Sequence, residues 1–297
     1  MTSENISIEL CETATLTDAM PSIEISDFGF TRYLYVIDDV KSSLVMAILD
    51  RCIEEALFWA YELYFSGFKS DVFCILEQMV SMMYVRLNPR LGTFLENKKR
   101  EWTETGAYCI VGTFIYNMIN RSYDVSAFVK TFCKDPELVK HIDGQINTTT
   151  EPGAKPVRNI YINVEQKDVV KYITINHIQC HYLLRKTVKY PVRKNTLAIF
   201  DHEHGIYTYG QIQSMYWYYW LYYANKSPIW AERIAKYGGK LNHEKYRIDF
   251  DTDEQDDAFH EKYNFEPDEQ PKQLQEMNIG TGIEQQISWL EFYEKYV

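Results

Sequence analysis

The sequence lacks the signatures of the common catalytic and cofactor sites. It contains no Gly-x-Gly-x-x-Gly turn, no Gly-x-Ser-x-Gly elbow and no His-Glu-x-x-His motif. The stretch "YGGK" at 237–240 is not a phosphate loop, because the upstream glycine is missing and Leu241 stands where Ser or Thr is required. These absences favour a protein that is not an enzyme, with no catalytic residues and no cofactor.

Paired cysteines and long apolar runs are also missing. The six cysteines include no Cys-x-x-Cys pair, which is typical of reduced thiols in a cytosolic protein. The N-terminus has neither the basic nor the apolar part of a signal peptide. The longest apolar run, residues 107–119, is too short to span a bilayer. We therefore expect a cytoplasmic protein without a membrane partner.

The composition is that of a globular protein rich in aromatic residues. Of the 297 residues, 46% are hydrophobic and 25% are charged, and the net charge is −11. Tyrosine alone occurs 24 times. The negative net charge argues against a generic nucleic-acid binder.

The hydrophobic periodicity predicts a mainly α fold. From Asp39 to Cys133, apolar residues recur at helical spacing, and Gly67 and Asp135-Pro136 are natural helix boundaries. Short turns between the helices are typical of a helical bundle or a HEAT-like stack. Alternating residues at 159–164 and a strand end at 197–200 indicate a few short strands in the mixed, mostly helical domain that follows.

Composition and periodicity together predict six segments. These are a flexible acidic tail (1–31), a helical domain (32–143), a linker (144–157), a mixed, mostly helical domain (158–248), an acidic tether (249–282) and an amphipathic C-terminal helix (283–297). The tether is predicted because residues 249–269 hold ten acidic residues and one lysine.

The most unusual stretch is "QSMYWYYWLYYANKSPIW" at 213–230, in which eight of eighteen residues are aromatic. Thr208 and Gln211 form a capping box that starts a helix at about Tyr209. One face of this helix is predicted to be core: Ile212, Met215, Tyr216, Tyr219, Trp220 and Tyr223. The opposite face offers candidates for binding a protein partner: Trp217, Tyr218 and Tyr222.

The C-terminal segment offers a second set of partner candidates. Its apolar stripe is Ile283, Ile287 and Leu290, and the candidate contacts are Ile287, Trp289, Leu290 and Tyr293. Such a short helix is marginal alone in water, so it must dock either on its own domain or in the groove of a partner.

A basic, tyrosine-rich segment stands out in the acidic chain. Residues 155–194 contain nine basic residues and only two acidic ones. Basic residues interleaved with aromatic rings suit single-stranded RNA or DNA. The candidate nucleic-acid contacts are Lys155, Arg158, Lys171, Arg185, Lys186, Lys189, Arg193 and Lys194. The alternative is that this segment pairs with the acidic residues of 249–269.

Four histidines are weak candidates for a metal site. His177 and His181 stand at i, i+4, and His202 and His204 follow some twenty residues later. Without a second ligand motif, ordinary histidines are the simpler interpretation, and we predict no metal.

Three blocks carry a resemblance to a known family. "SLVMAILDRCIEEALFWAYELYFSGF" (43–68), "SPIWAERIAKYGGKLN" (227–242) and "YNFEPDEQPKQLQ" (263–275) resemble an uncharacterised helical family encoded by nucleocytoplasmic large DNA viruses, the giant viruses. The resemblance implies a viral protein in the cytoplasm of an infected host cell. Because some such viruses encode translation-initiation components, it also suggests a HEAT-like scaffold of that type at 33–143.

The sequence thus favours a non-enzymatic scaffold or adaptor in a viral cytoplasmic complex, for example one of the translation-initiation kind. The first alternative is an RNA- or DNA-binding factor that uses residues 155–194. An enzyme whose site the sequence does not reveal is the third.

Overall fold

The computed structural model of the chain describes residues 28–146, 160–173, 180–200, 207–282 and 285–297. The described chain is mainly helical, with one antiparallel pair of short strands, as the periodicity predicts. In chain order the elements are α1 (Ile37–Leu49), α2 (Ile53–Ser66), α3 (Lys69–Met79), α4 (Leu91–Thr105), α5 (Cys109–Ile119), α6 (Ser126–Phe132), α7 (Pro136–Ile146), α8 (Gln166–Val169), α9 (Cys180–Thr187), α10 (Leu197–Phe200), α11 (Tyr209–Tyr218), α12 (Trp220–Ala224), α13 (Pro228–Lys236), β1 (Lys240–Asn242), β2 (Arg247–Asp249), α14 (Asp253–Tyr263), α15 (Lys272–Ile279) and α16 (Trp289–Tyr296).

Helix α2 is the centre of the fold. It packs against α1, α3, α5 and α13, and Trp59 and Tyr61 on it are fully buried. The helix ends at Gly67, which has the left-handed φ of 107° that glycine adopts without strain. A Cβ at Gly67 would also lie 2.4 Å from Cβ of Pro228, so the close approach of α13 requires glycine.

The predicted strand at 159–164 is wrong for the described residues 160–164. This segment is extended, but its backbone hydrogen bonds go to side chains of α5 and of Arg121 and not to another strand. The amide of Ile162 donates to Oδ1 of Asn117 at 3.1 Å, and the amide of Val164 donates to Oγ1 of Thr113 at 3.0 Å. The predicted strand end at Leu197–Phe200 is likewise a turn of helix, α10.

The last residues of the predicted N-terminal tail belong to the core. Phe28 and Phe30 are buried, and the indole N–H of Trp230 donates to the carbonyl of Thr31 at 3.2 Å. The hydroxyl of Ser227 donates to the carbonyl of Phe30. Residues 28–31 therefore pack against α13, whereas residues 1–27 lie outside the described residues. The predicted linker (144–157) begins inside α7, which includes residues 144–146, and its residues 147–157 lie outside the described residues.

Residues 249–282 differ from the tether that their charge predicts. They form α14 and α15, and they bury Phe259, Phe265 and Ile279 almost completely. Thr252 caps α14, and three acidic residues occupy its first turn, where the positive end of the helix dipole stabilises them. The acidic residues therefore support a helix whose apolar residues point into the core, and the charge count alone hides this pattern.

The C-terminal helix docks on its own chain. Phe292, Tyr293 and Tyr296 of α16 are buried, and the ring of Phe292 lies 5.8 Å from that of Phe128 on α6. Docking of this segment on its own domain was one of the two predicted outcomes. Of the predicted stripe, Leu290 departs from the prediction because it is 46% exposed, whereas Ile287 is half-buried and Ile283 lies outside the described residues.

The buried hydrophobic side chains form a cluster that runs from Phe28 to Tyr296. Helices before and after residues 147–159 contribute to it. Within the described ranges, none of the helices is long and apolar enough to cross a membrane.

Candidate protein-docking site

The aromatic segment folds as two short helices, α11 and α12. The predicted capping box is confirmed, because Thr208 Oγ1 accepts from the amide of Gln211 at 3.3 Å and the Gln211 side chain accepts from the amide of Thr208 at 2.8 Å. Regular α geometry breaks at Tyr219, whose φ is −124°. The break separates the two helices by one residue.

The inner face of this segment is core for four of the six predicted residues. Ile212, Tyr216, Trp220 and Tyr223 are buried, and the indole of Trp220 stacks on the ring of Phe265 at 5.8 Å with an interplanar angle of 7°. The other two predicted residues differ. Met215 is half-buried and Tyr219 is 42% exposed. These two side chains open onto a groove.

A hairpin of β1 and β2 brings a further tyrosine to this groove. The strands pair in the register Lys240↔Asp249 and Asn242↔Arg247. The last residue of the connecting turn is Tyr246, with a left-handed φ of 50°. Bulky residues rarely adopt this conformation, which costs on the order of 1–2 kcal/mol for a residue with a Cβ. A strained residue held in place by its surroundings is a candidate for function.

The ring of Tyr246 lies between two rings of the helical segment. Its centroid is 6.1 Å from that of Tyr219 and 5.3 Å from that of Tyr222, with interplanar angles of 68° and 73°. These are the edge-to-face arrangements that aromatic pairs prefer. The three rings therefore form a surface of tilted aromatic planes.

We name the cavity beside these rings the tyrosine groove. It is an open cleft of about 510 Å³. Its lining residues are Thr208, Gly210, Gln211, Ser214, Met215, Tyr219, Tyr223 and Tyr246. None of these eight side chains is a carboxylate, an ammonium or a guanidinium. The described lining is thus neutral, with aromatic rings, one thioether and several hydrogen-bonding groups.

The hydroxyl groups of Tyr222 and Tyr223 beside the groove are neutral at physiological pH. Burial raises the pKa of Tyr223 to about 12, and burial followed by the nearby Tyr246 raises the pKa of Tyr222. The hydroxyl of Tyr222 forms a hydrogen bond of 2.9 Å with Nδ1 of His243. Neutral phenols both donate and accept hydrogen bonds, so they suit the amide groups of a peptide.

The three predicted partner residues of the aromatic helix lie in different surroundings. Tyr218 is 68% exposed, and Tyr222 is half-buried beside His243 and Tyr246. The indole N–H of Trp217 donates to Oε1 of Gln275 at 2.7 Å, so α15 covers part of this ring. Of the three, Tyr222 lies nearest to the groove, in contact with Tyr246.

The C-terminal partner candidates are largely engaged within the chain. Tyr293 is buried, and Trp289 is half-buried with its ring 5.8 Å from Phe128. The amide of Ile287 donates to the carbonyl of Asn195 at 2.9 Å, whereas Leu290 faces outward.

Two residues of the basic segment form ion pairs in the interior. Arg193 forms two hydrogen bonds with the Glu55 carboxylate, of 2.8 and 2.6 Å, and also pairs with Asp50. Lys194 is almost fully buried with its Nζ 3.3 Å from a carboxylate oxygen of Asp39. These two side chains fasten the segment to α1 and α2.

The other basic candidates are more exposed. Lys171 pairs with Glu54 at 2.6 Å, and Nε of Arg185 donates to Oε1 of Gln270 at 3.2 Å. Lys186 and Lys189 are exposed. Lys155 and Arg158 lie outside the described residues.

The described ion pairs do not join the basic segment to residues 249–269, which was the predicted alternative to nucleic-acid binding. Lys171, Arg193 and Lys194 pair with carboxylates of α1, α2 and the turn between them, because the segment lies across these helices. Helix α14 does contact α9, but the contact includes a hydrogen bond from the thiol of Cys180 to the carbonyl of Glu261 and no ion pair among the described residues.

The described histidines do not form a metal site. His181 is half-buried on α9 with its ring against Tyr182, whereas His177, His202 and His204 lie outside the described residues. In the part of the chain that the structure describes, no three His, Cys, Asp or Glu side chains are grouped as metal ligands.

Another cavity, of about 250 Å³, lies between α1, α3, α6 and α10. Its lining is mostly apolar: Lys41, Ser42, Val45, Ile75, Gln78, Met79, Met82, Met83, Phe128, Phe132, Ile199 and Phe200. Three methionines thus line a cavity that shares no lining residue with the tyrosine groove.

Comparison with protein-family models, with curated proteins and with solved structures found no match to this chain. Assignment of a binding activity to the groove therefore depends on its side chains.

The sequence did not single out the two residues that define the groove. Tyr219 falls on the predicted core face, and only the break in the helix turns it outward. The sequence around Tyr246 does not indicate its left-handed turn conformation, because glycine and asparagine are the usual residues there and tyrosine is rare. Their proximity depends on the packing of the hairpin against α12.

Proposed function

We propose that this protein is a non-enzymatic adaptor that binds an extended, proline-rich segment of a partner protein in the tyrosine groove. The observation that carries the proposal is the set of tilted rings of Tyr219, Tyr222 and Tyr246 beside an open cleft with neutral lining.

The chemistry of the groove suits a polyproline II helix. Proline-rich peptides dock in grooves lined by aromatic side chains, where proline rings fit between tilted aromatic planes. The polyproline II backbone has no internal hydrogen bonds, so its carbonyls are free to accept from tyrosine hydroxyl and glutamine amide groups. Tyr219, Tyr223, Tyr246 and Gln211 supply such groups around the groove.

The charge distribution favours a peptide over nucleic acid. Nucleic-acid sites use cations to neutralise phosphates, and the described lining of the groove holds none. In the basic segment, Arg193 and Lys194 are already neutralised by buried or half-buried carboxylates. The nucleic-acid alternative therefore has less support than the adaptor.

The setting of this adaptor is a further part of the proposal. We propose that it acts in a viral complex, of the translation-initiation kind or another, in the cytoplasm of an infected cell. This part of the proposal is supported by the sequence resemblance alone.

A titration with a fluorescein-labelled decaproline peptide tests the proposal. We expect saturable binding to the full chain that Tyr219→Ala weakens at least about tenfold, the loss expected for removal of one central aromatic contact. Tyr218→Ala is the matched control, because Tyr218 is more exposed and does not line the groove. It should bind like the unchanged protein.

Three results would contradict the proposal. The first is the absence of decaproline binding, and the second is equal binding by the Tyr219→Ala protein. The third is binding of a single-stranded oligothymidylate, but not of the peptide, with an affinity that falls steeply with salt. That pattern would support the nucleic-acid alternative.

A further inference from the structure

The apolar cavity between α1, α3, α6 and α10 is large enough for a small molecule. Its volume is about 250 Å³. An apolar cavity of about 150 Å³ accepts benzene, so this one has room for a ligand of roughly ten heavy atoms. Sites for small molecules are mostly apolar, with a few polar groups that fix the orientation of the ligand. The lining of this cavity has that composition.

The inner part of the cavity is apolar and buried. Val45, Met79, Met83, Phe128 and Ile199 line it, and all five are buried. Methionine side chains are flexible and polarisable, so they adapt their packing to the shape of a bound apolar group. This part of the cavity therefore suits an aliphatic chain.

A π-helical turn at Val80–Tyr84 supplies two of the lining methionines. It continues α3, and the amide of Val85 donates to the carbonyl of Val80 at 3.0 Å. Met82 and Met83 lie on this turn, and both line the cavity. Single π-helical turns are rare and occur frequently at functional sites. The irregular turn is an observation independent of the volume, and it favours a bound ligand here.

The polar groups of the cavity lie at its exposed edge. Lys41 and Gln78 both line it, and both side chains reach solvent. Within the described lining, the ammonium of Lys41 is the one charged group. It donates to Oδ1 of Asp38 at 2.9 Å, which uses one of its three N–H donors. Nε2 of Gln78 donates to Sγ of Cys74 at 3.6 Å, which uses one of its two. The edge therefore offers further donors to an anionic group.

We propose that this cavity binds a medium-chain alkyl carboxylate, with the chain against the methionines and phenylalanines and the carboxylate at the ammonium of Lys41. Octanoate has eight carbons and two oxygens, which matches the volume of the cavity. A cation beside an apolar lining favours an anionic head over a cationic one. Because Lys41 is partly exposed and already pairs with Asp38, most of the affinity comes from burial of the chain. This site is independent of the tyrosine groove.

NMR of the full chain, labelled with ¹³C at the methionine methyl groups, tests where octanoate binds. Octanoate should shift the resonances of Met79, Met82 and Met83 and leave that of Met215 in the tyrosine groove unchanged. Single Met→Leu changes assign the four signals. Acetate, which has the carboxylate without the chain, should shift none of them at the same concentration. Octanoate that leaves all three cavity methionines unshifted, or that shifts Met215 alone, would overturn the proposal.

Calorimetric titrations test the place of the carboxylate. Lys41→Gln should weaken octanoate about two- to fivefold, the range of a partly exposed ion pair, and should leave the binding of octan-1-ol unchanged. Lys98→Gln is the matched control, because Lys98 also forms an i, i+3 ion pair, with Glu101 at 2.8 Å, and does not line the cavity. It should bind octanoate like the unchanged protein. Equal effects of the two lysine changes, or equal weakening of octanoate and octan-1-ol by Lys41→Gln, would overturn the assignment of a carboxylate ligand.

Discussion

The ring of Tyr246 meets the ring of Tyr222 edge-on, with centroids 5.3 Å apart and planes at 73°. Tyr246 reaches this position from a backbone with a left-handed φ of 50°. The contact therefore joins a strained hairpin turn to α12. We regard this strain as the cost of completing the tyrosine groove.

Replacing Tyr246 separates the stability of the hairpin from the function of the groove. Tyr246→Gly removes a conformational strain of about 1–2 kcal/mol. It also loses aromatic contacts of about 0.5–1.5 kcal/mol each, so the net change in stability should be small. Decaproline binding should nevertheless weaken strongly. Chemical denaturation and the peptide titration measure the two effects, and a glycine variant that binds the peptide fully would show that this ring is not part of the site.

The C-terminal helix should be required for stability. A chain that ends at Gly282 loses Phe292, Tyr293 and Tyr296, which are buried against the rest of the fold. Each fully buried aromatic side chain contributes about 1.5–3 kcal/mol, so the loss should be several kcal/mol. Thermal melts of the full and the truncated chain measure this loss of stability. An unchanged melting temperature would mean that α16 is free to serve a partner.

Helix α16 is also held by a carboxylate at the end of α1. Asp50 accepts from the hydroxyl of Tyr296 at 2.8 Å, and it pairs with Lys295 at 3.0 Å and with Arg193. Burial would raise the pKa of Asp50, but the hydrogen bonds from Tyr296, Arg193 and Lys295 outweigh burial and hold it below its ordinary value.

This lowered pKa predicts a pH dependence of stability. Since the folded-state pKa lies below that of the unfolded chain, the contribution is fully present above the unfolded pKa of about 4 and is lost as pH falls through the folded value. Asp50→Asn should therefore lower the melting temperature at pH 7, and the difference should shrink below about pH 4. Melts between pH 3 and 7 measure it. A difference that does not change with pH would assign the effect to packing.

The two interior cations of the basic segment should be structural. The double change Arg193→Glu, Lys194→Glu brings like charges beside Asp39, Asp50 and Glu55. Breaking a buried ion pair costs about 3–5 kcal/mol, so this protein should be strongly destabilised. The control is Lys186→Glu, Lys189→Glu, where both side chains are exposed and stability should change little. Equal stability of the two double variants in denaturant melts would contradict the structural role.

The sequence was most informative where local chemistry decides the structure. The capping box at Thr208 and Gln211, the helix stop at Gly67 and the start at Asp135-Pro136 all appear as predicted. Each depends on a few neighbouring residues, so no knowledge of the remaining fold is needed. The mainly α class follows from the same local periodicity.

Long-range pairing could not be predicted in the same way. The charge of residues 249–269 suggested a pairing partner for the basic segment, whereas the carboxylates that bind Arg193 and Lys194 lie some 140 to 155 residues earlier in the chain, on α1, α2 and the turn between them. Charge totals carry no information on which helices a segment will cross. The groove could not be predicted for the same reason, because Tyr219 and Tyr246 meet only through the packing of the hairpin on α12.

One NMR measurement tests the central claim most directly. Of the nine methionines, Met215 lines the tyrosine groove, whereas Met79, Met82 and Met83 line the separate apolar cavity. In protein labelled with ¹³C at the methionine methyl groups, decaproline should shift the Met215 resonance, assigned by Met215→Leu, and leave those three unchanged. A Met215 signal that stays in place while the peptide binds, or shifts confined to Met79, Met82 and Met83, would contradict the account.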